Sequence, residues 1–270
     1  MWYKNEPEFK VANGYELNGI WYPRVTRILE VKAKPALQQF FKEMESYSLA
    51  EEVKEKSALH GSLVHEAIEK ILLGESVEVP TAIAPGVETF QRFNEQRGIA
   101  FHPGFVERTV WSQRYRYAGT IDALATIDGK FGVLDIKTST GFYPEYNLQT
   151  AAYVAALQEF PVRRMLGLAS EIQTRWILRI DQRRICRLCD ATMRTKGGRV
   201  KIRGDKKGSA CESQIVGAVR DQHEWGDEEG EVELREFPFF QRDIRAFIAA
   251  KTLWEWENGY WLRKIGYSIS

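Results

Sequence analysis

The spacing of hydrophobic and polar positions changes along the chain and predicts helical stretches separated by β-rich ones. Apolar residues recur at helical spacing over residues 35–73 and 87–97, and Gly98 follows the second stretch. From residue 105 the period becomes two, which predicts strands over 105–113, 117–127 and 131–137. Helical spacing returns over 143–160 and 243–256. Strands are therefore expected to alternate with single helices in the second half of the chain.

Further β-type stretches and turn signals complete the pattern. Asn13-Gly14 lies between β-prone residues and predicts a hairpin over residues 9–21, and Gly61-Ser62 predicts an interruption of the long helical stretch. The remaining strands are predicted over 175–180, 185–188, 200–203 and 231–237. This order predicts one α/β domain over residues 1–270, with a mixed central β-sheet flanked by helices and a β-rich C-terminal elaboration.

Two carboxylates are predicted to face each other across one hairpin. Asp128-Gly129 is typical of a two-residue turn, so Ile127 should pair with Lys130. The same register places Asp122 opposite Asp135, with Cβ atoms about 4.5–5.5 Å apart. Such carboxylates repel each other unless a cation lies between them. Carboxylate oxygens are the ligands that Mg²⁺ and Mn²⁺ prefer, so the hairpin predicts a divalent cation site.

A lysine joins this acid pair. Lys137 lies two residues beyond Asp135, and the strand period returns its side chain to the same face. Phosphodiester hydrolysis needs this combination, in which a metal activates water and an ammonium positions the nucleophile or stabilises charge. The alternative is an exposed strand face of ordinary charged residues. The apolar flanks Val133-Leu134 and Ile136 favour a buried strand, on which charges need partners.

The arrangement resembles the PD-(D/E)XK nucleases, with Asp122 as the first acid and Asp135-Ile-Lys137 as the (D/E)XK half. The flanks resemble the RecB-like exonuclease branch, and the resemblance covers residues 23–157. Its further elements are Gly61-Ser-Leu-Val-His65, Gly119-Thr-Ile-Asp122, Gln149-Thr-Ala-Ala-Tyr153 and the opening Tyr22-Pro-Arg-Val-Thr26-Arg-Ile-Leu. The resemblance implies a restriction-endonuclease-like core and a Mg²⁺- or Mn²⁺-dependent deoxyribonuclease. An exonuclease or end-processing enzyme is favoured, acting in DNA repair, recombination or the DNA metabolism of phages and mobile elements.

The resemblance also implies roles for individual residues. The catalytic set is Asp122, Asp135 and Lys137, and the metal ligands are His65, Asp122, Asp135 and the backbone carbonyl of Ile136. The resemblance gives supporting or DNA-contacting roles to Gln149 and Tyr153. Glu107, on the strand before Gly119, and Thr138 are added from their positions in the sequence as further supporting residues. Each has a plainer alternative: His65 as a core histidine, Gln149 and Tyr153 as a polar edge of a packed helix, and Glu107 as an exposed strand residue. His60 is expected to be structural or to contact phosphate.

Within the single domain the residues fall into four parts. Residues 1–100 form the N-terminal hairpin and the helical part carrying His65, and residues 101–160 form the catalytic core. Residues 183–230 form a basic and acidic β-rich insertion, and residues 231–270 supply a closing strand and helix.

Charge is segregated locally, although the net charge of the chain is only +1. Residues 183–207 hold ten Lys or Arg against two acids, a balance of +8, and residues 224–236 hold seven acids against Arg235, a balance of −6. This predicts a basic β-rich arm that projects toward DNA, with Arg199, Lys201 and Arg203 on the phosphate backbone, and a counter-charged partner segment. The alternative is two solvated loop faces.

Cysteine content and apolar runs bear on the compartment and on cofactors. Three cysteines give no disulfide framework, and neither a signal-peptide core nor a membrane-length apolar run is present, which predicts a cytoplasmic protein without membrane contact. Relatives with an iron–sulfur cluster carry an N-terminal cysteine, which this chain lacks, and this argues against such a cluster. A zinc site would use Cys186, Cys189, Cys211 and His223. The loose spacing and the lack of Gly or Pro beside Cys189 favour ordinary thiols instead.

The expected partner is DNA, either single-stranded or at duplex ends. No Walker A pattern occurs, so ATP-driven unwinding would need a separate helicase or recombination protein. Two other classes of function stay open. One is a catalytically inactive nucleic-acid-binding relative, which usually lacks an acid or the lysine. The other is a small-molecule metalloenzyme, which would have an acidic pocket without Arg175, Arg179 and the basic stretch beyond.

Overall fold

The computed structural model describes residues 3–204, 211 and 223–268. In this part of the chain, helices pack on both faces of a mixed β-sheet, as the alternation of periods predicts. None of the helices described combines the length and the apolar composition required to cross a bilayer.

The N-terminal hairpin exists, but the predicted turn is wrong. Residues Glu6–Asn13 form helix α1, followed by β1 (Gly14–Leu17) and β2 (Ile20–Pro23). Asn18-Gly19 makes the turn, with positive φ angles of 52° and 74°. Asn13 instead ends α1, where its buried amide donates to Phe9 O at 2.9 Å.

The predicted interruption of the long helix is also wrong. The helices before the sheet are α2 (Val25–Ile28), α3 (Pro35–Glu43), α4 (Tyr47–Leu72) and α5 (Ala84–Arg97). Helix α4 continues through Gly61, where an added Cβ would lie 2.8 Å from Thr138 Oγ1. Gly61 therefore allows a close approach between α4 and the sheet rather than a break. Gly98 ends α5 in the left-handed conformation, as predicted.

The central sheet contains seven of the described strands in the order β10-β9-β8-β7-β6-β3, with β11 paired to β8. Strands β7 and β8 are parallel and the other pairs are antiparallel. Strands β4 and β5 form a separate pair. The bounds are β3 (Ala100–Phe101), β4 (Arg108–Ser112), β5 (Tyr117–Ile121), β6 (Ala123–Ile127), β7 (Lys130–Lys137), β8 (Thr174–Ile185), β9 (Thr192–Lys196), β10 (Arg199–Arg203) and β11 (Glu229–Glu236). The predicted pairing of Ile127 with Lys130 is confirmed.

Two hydrophobic cores lie on opposite faces of this sheet. The later helices are α6 (Pro144–Gln158), α7 (Phe160–Leu166), α8 (Gln241–Glu257) and α9 (Gly259–Lys264). One core joins the sheet to α1, α6 and α8, and the other joins it to α4 and α5. Strand β7 contributes to both, with Val133 in the first core and Leu134 and Ile136 in the second. Its alternation sends Asp135 and Lys137 to the face of α6.

The basic stretch forms a hairpin that packs on the body rather than projecting from it. Strands β9 and β10 extend the edge of the central sheet. Their turn at Gly197 lies against α4, where an added Cβ would overlap Val53 O and Ser57 Oγ. A second hairpin signal, at residues 206–208, lies outside the described residues.

Strand β11 supplies acidic partners for this basic stretch. Glu231 lies 2.8 Å from Arg183 and 2.5 Å from Arg194. The two arginines that served as an argument against a small-molecule metalloenzyme are buried in ion pairs. Arg175 pairs with Asp243, and Arg179 pairs with acids that include Glu231. Their presence therefore does not separate a nuclease from another metalloenzyme.

Candidate active site

Three side chains from separate parts of the fold converge at one end of the sheet. His65 comes from α4, Glu107 from the segment before β4, and Asp122 from the junction of β5 and β6. One ligand atom of each lies within 4.8 Å of the other two. An imidazole nitrogen and two carboxylates at this separation can hold a single divalent cation.

Asp122 occupies a break between two strands. Strand β5 pairs with β4, whereas β6 pairs with β7, so the chain changes partners at this residue. The last pair before the break joins Ala123 to Leu134, so the predicted pair of Asp122 with Asp135 lies one residue beyond the end of the observed pairing. Asp122 Oδ2 accepts a hydrogen bond from the Ile136 N–H at 2.5 Å. The Ile136 amide thus orients the carboxylate of Asp122, and the metal-ligand role of the Ile136 carbonyl stays a prediction.

Asp135 and Lys137 form a buried ion pair beside this trio. Their carboxylate and ammonium lie 2.6 Å apart, and Asp135 is 1% exposed. The amide of Gln149 donates to the other oxygen, Asp135 Oδ1, at 3.1 Å. Lys137 also lies over the ring of Tyr146, 5.2 Å from its centre. Asp135 is therefore held in place by a lysine and an amide.

Gln149 and Tyr153 support the site as their shared helix face predicts. The Gln149 amide lies 3.1 Å from the Tyr153 hydroxyl as well as from Asp135. The buried Tyr153 ring lies against Gly119, where an added Cβ would be 2.6 Å from Cε1. The glycine three residues before Asp122 therefore makes room for the tyrosine that orients the glutamine.

Replacing Gly119 by alanine should lower the free energy of unfolding by about 1–3 kcal/mol, because the new methyl group would overlap a buried ring. Urea denaturation measures the change. Gly141→Ala, with open space around its Cβ, is the control and should have a small effect. The penalty should shrink in a Tyr153→Leu background, and an equal penalty in both backgrounds would contradict this explanation.

The acidic groups of the site resist ionisation. Glu107 is exposed, but partial desolvation and the nearby Asp122 raise its pKa to about 7. Burial also raises the pKa of Asp122 and Asp135. Burial alone would lower the pKa of Lys137, but the attraction of the two aspartates outweighs it and raises that pKa. Desolvation is thus the main reason that these carboxylates are hard to ionise.

The structure also bears on the protonation of His65 and on the position of Glu107. Burial and Lys137 lower the pKa of His65, which keeps the imidazole neutral and able to bind metal at pH 7. Glu107 adopts a positive φ of 46°, unusual for a residue with a side chain. It was expected on a strand in a supporting role, but it precedes β4 and lies among the candidate ligands.

An open cavity of about 610 Å³ exposes the trio to solvent. Helix α4 supplies one wall and Thr138 lies in another, which places Thr138 beside the site as expected. Glu69, four residues after His65 on α4, lines the cavity and was missed, although its helical spacing could have revealed it. The lining residues are Ser57, Ala58, Gly61, Ser62, His65, Glu66, Glu69, Glu107, Asp122 and Thr138.

The remaining predicted residues lie around this site or apart from it. Arg199 pairs with Glu43 at 2.7 Å, and its guanidinium lies over Phe40. Lys201 and Arg203 are exposed on the same strand, β10. His60 Nε2 lies 3.3 Å from a backbone carbonyl of the segment before α5, a structural contact.

The four residues named for a zinc site also lie close together. Ligand atoms of Cys186, Cys189, Cys211 and His223 lie within 4.8 Å of one another.

The comparisons with known proteins add no family to this picture. No family model matches the chain, and no curated protein matches it significantly.

Proposed function

We propose that the protein is a metal-dependent nuclease that hydrolyses phosphodiester bonds in DNA, with the PD-(D/E)XK core of the RecB-like exonuclease branch. The observation that carries this proposal is the convergence of His65, Glu107 and Asp122 beside the Asp135–Lys137 pair. The connection between the parallel strands β7 and β8 also supports the proposal, because it contains helix α6, which supplies Gln149 to the site.

The donor set fits Mg²⁺ or Mn²⁺. Carboxylate oxygens suit both ions, and the histidine nitrogen adds affinity for manganese. The raised pKa values of Glu107, Asp122 and Asp135 fit as well, because desolvation raises each of them and a bound cation would favour the ionised carboxylates. A bound divalent ion would activate a water molecule and neutralise charge on the scissile phosphate.

Residues of the protein itself would provide charge stabilisation and orientation in the proposed reaction. Lys137 is protonated at neutral pH because its pKa is raised, so it acts by charge and not as a base. Its ammonium can stabilise the charge that develops on the phosphate in the transition state. Gln149 and the Ile136 amide hold the carboxylates of Asp135 and Asp122 in fixed orientations. Preorganised groups of this kind need little rearrangement during reaction.

The turn of the basic hairpin lies next to one residue of the cavity wall, which favours a polyanionic substrate. The turn between β9 and β10 contacts Ser57, and Ser57 lines the cavity. Because Arg199 is engaged by Glu43, the exposed Lys201 and Arg203 are the residues of this strand proposed to meet phosphates.

A labelled-DNA assay tests the proposed function. Single-stranded and duplex substrates are incubated with Mn²⁺, Mg²⁺ or EDTA, and cleavage products are separated on gels. We expect cleavage with either metal ion and none with EDTA. DNA binding without cleavage under all metal conditions would instead support a catalytically inactive nucleic-acid-binding relative, and neither binding nor cleavage would contradict the proposal.

The salt dependence of DNA binding should report the role of the hairpin. Lys201→Gln combined with Arg203→Gln should flatten the log–log dependence of affinity on salt by about 0.9 for each phosphate of duplex DNA that the variant no longer neutralises. Binding is measured in a salt series with catalysis blocked by EDTA. The control combines Lys10→Gln with Lys264→Gln, which removes the same charge near the α1–α9 contact. Equal slopes for the hairpin variant and the wild type would show that this strand faces away from DNA.

Metal affinity should rise with pH. The pKa of Glu107 is raised from its ordinary 4.5 to about 7, so its ionisation destabilises the metal-free fold as the pH rises through this interval. Metal binding favours the ionised form and displaces protons. The thermal stabilisation by Mn²⁺ should therefore grow from about pH 5 to about pH 8. Glu107→Gln should weaken the stabilisation and flatten its pH dependence, and an unchanged profile in this variant would remove Glu107 from the ligand set.

A further inference from the structure

A second cluster of metal-binding side chains lies where the chain leaves β8. Cys186 follows β8 directly, Cys189 is three residues later, and His223 precedes β11. Cys211 completes the group, in which one ligand atom from each of the four residues lies within 4.8 Å of the others. These residues take no part in the proposed phosphodiester chemistry, so their convergence needs a separate explanation.

The separations match the edges of a tetrahedral zinc site. Cys186 Sγ and Cys211 Sγ are 3.7 Å apart, and Cys189 Sγ lies 3.3 Å from His223 Nδ1. Bond lengths of about 2.3 Å to sulfur and about 2.0 Å to nitrogen give tetrahedral edges of about 3.8 Å and about 3.5 Å. A disulfide would instead require sulfur atoms about 2.05 Å apart.

The backbone around the first two cysteines is shaped for a metal knuckle. The Leu188 N–H donates to Cys186 Sγ at 3.4 Å, which stabilises negative charge on that sulfur. Asp190 adopts a positive φ of 60°, and its N–H donates to Cys186 O at 3.0 Å. Aspartate tolerates this left-handed conformation, so the turn forms without the glycine that the sequence lacks. The lack of glycine or proline beside Cys189 is therefore compatible with a zinc-binding turn.

The histidine is held in place by strand-like pairing. Cys186 forms an isolated bridge with Trp225, and Arg187 N donates to Glu224 O at 2.8 Å. Among the described residues, Cys186, Ala191 and Cys211 form one buried cluster, and Cys189 and Trp225 pack against it.

We propose that Cys186, Cys189, Cys211 and His223 bind one structural Zn²⁺ ion that fastens the base of the β9–β10 hairpin to the start of β11. Three thiolates with one imidazole select zinc over Mg²⁺ or Mn²⁺, and four protein ligands leave no open position for a substrate. The site is thus distinct in chemistry from the acidic site, and its test does not depend on nuclease activity.

Elemental analysis of protein purified without chelators tests the proposal. We expect about one zinc per chain, retained in Asp122→Asn and lost in Cys189→Ser and His223→Gln. His60→Gln is the matched control, because this histidine contacts a backbone carbonyl instead, and it should keep its zinc. A thiol-blocking mercurial should release the zinc from the wild type, which keeps the test decisive if a variant fails to fold.

Cobalt supplies an independent spectroscopic readout. Wild-type protein refolded with Co²⁺ should show the visible absorption of tetrahedral cobalt–thiolate coordination, and the Cys189→Ser and His223→Gln variants should lose it. Wild-type protein without zinc, with stoichiometric iron and a brown chromophore, or with a Cys186–Cys211 disulfide in mass spectra would overturn the proposal.

Discussion

Replacing Lys137 by methionine is expected to lower kcat by about 10²–10³-fold, with a much smaller change in DNA affinity. The reason is that an ammonium at the reacting phosphate acts mainly on charge that appears in the transition state. Lys137 is suited to this role because its pKa is raised and its side chain is held by Asp135 at 2.6 Å. Single-turnover cleavage and equilibrium binding, measured separately, give the two effects.

Methionine keeps most of the volume of Lys137 but leaves Asp135 without its counter-charge, so thermal denaturation must accompany the assay. Lys130→Met is the control, because Lys130 lies on the same strand and forms an exposed ion pair with Glu236. It should cleave normally. If Lys137→Met reduced binding and cleavage in equal measure, Lys137 would be a phosphate contact and not a catalytic group.

Replacing Asp122 by asparagine is expected to abolish metal-dependent cleavage and to stabilise the metal-free protein. Burial raises the pKa of Asp122, so its ionisation above the ordinary value of 3.8 lowers the free energy of unfolding. Asparagine removes that charge, and its carbonyl can still accept from the Ile136 N–H. The variant should therefore melt at a higher temperature than the wild type in EDTA at neutral pH.

The same experiment with Mn²⁺ should reverse the order. Mn²⁺ should raise the melting temperature of the wild type and leave that of Asp122→Asn nearly unchanged. Asp128→Asn is the control, because Asp128 is exposed in the β6–β7 turn and its φ of 51° suits asparagine. A lower melting temperature for Asp122→Asn in EDTA would show that the carboxylate stabilises the fold without a cation.

The β6–β7 hairpin could be predicted because the two residues of its turn determine the turn type and the register. Asp128-Gly129 adopts positive φ at both turn positions, and this turn sets a register that extends to Ala123 opposite Leu134, next to Asp122 and Asp135. The same reasoning failed at Asn13-Gly14, where tertiary packing makes Asn13 the buried end of a helix. An Asn-Gly pair is compatible with a turn wherever it occurs, and only the packing of Phe9 and its neighbours selects Asn18-Gly19.

Residues whose role depends on distant parts of the chain could not be assigned in this way. Glu107 reaches the site because β4 pairs with β5 and its own backbone N–H donates to Asp122 O at 3.0 Å. Gly61 is typical of a helix break by propensity, yet its contact with Thr138 makes it a packing position. Gly61 belongs to a motif of the family that the sequence resembles, but the motif does not reveal its contact with Thr138. Glu107 belongs to none of the motifs.

Anomalous diffraction from crystals soaked in Mn²⁺ tests the central claim most directly. The manganese signal locates the ion without any assumption about activity, and Asp122→Asn crystals supply the matched control. We expect a peak in the wild type at coordination distance from His65, Glu107 and Asp122, and no peak there in the variant. Wild-type crystals with manganese only at other acidic groups, or with the same peak in Asp122→Asn, would contradict a catalytic metal centre at this site.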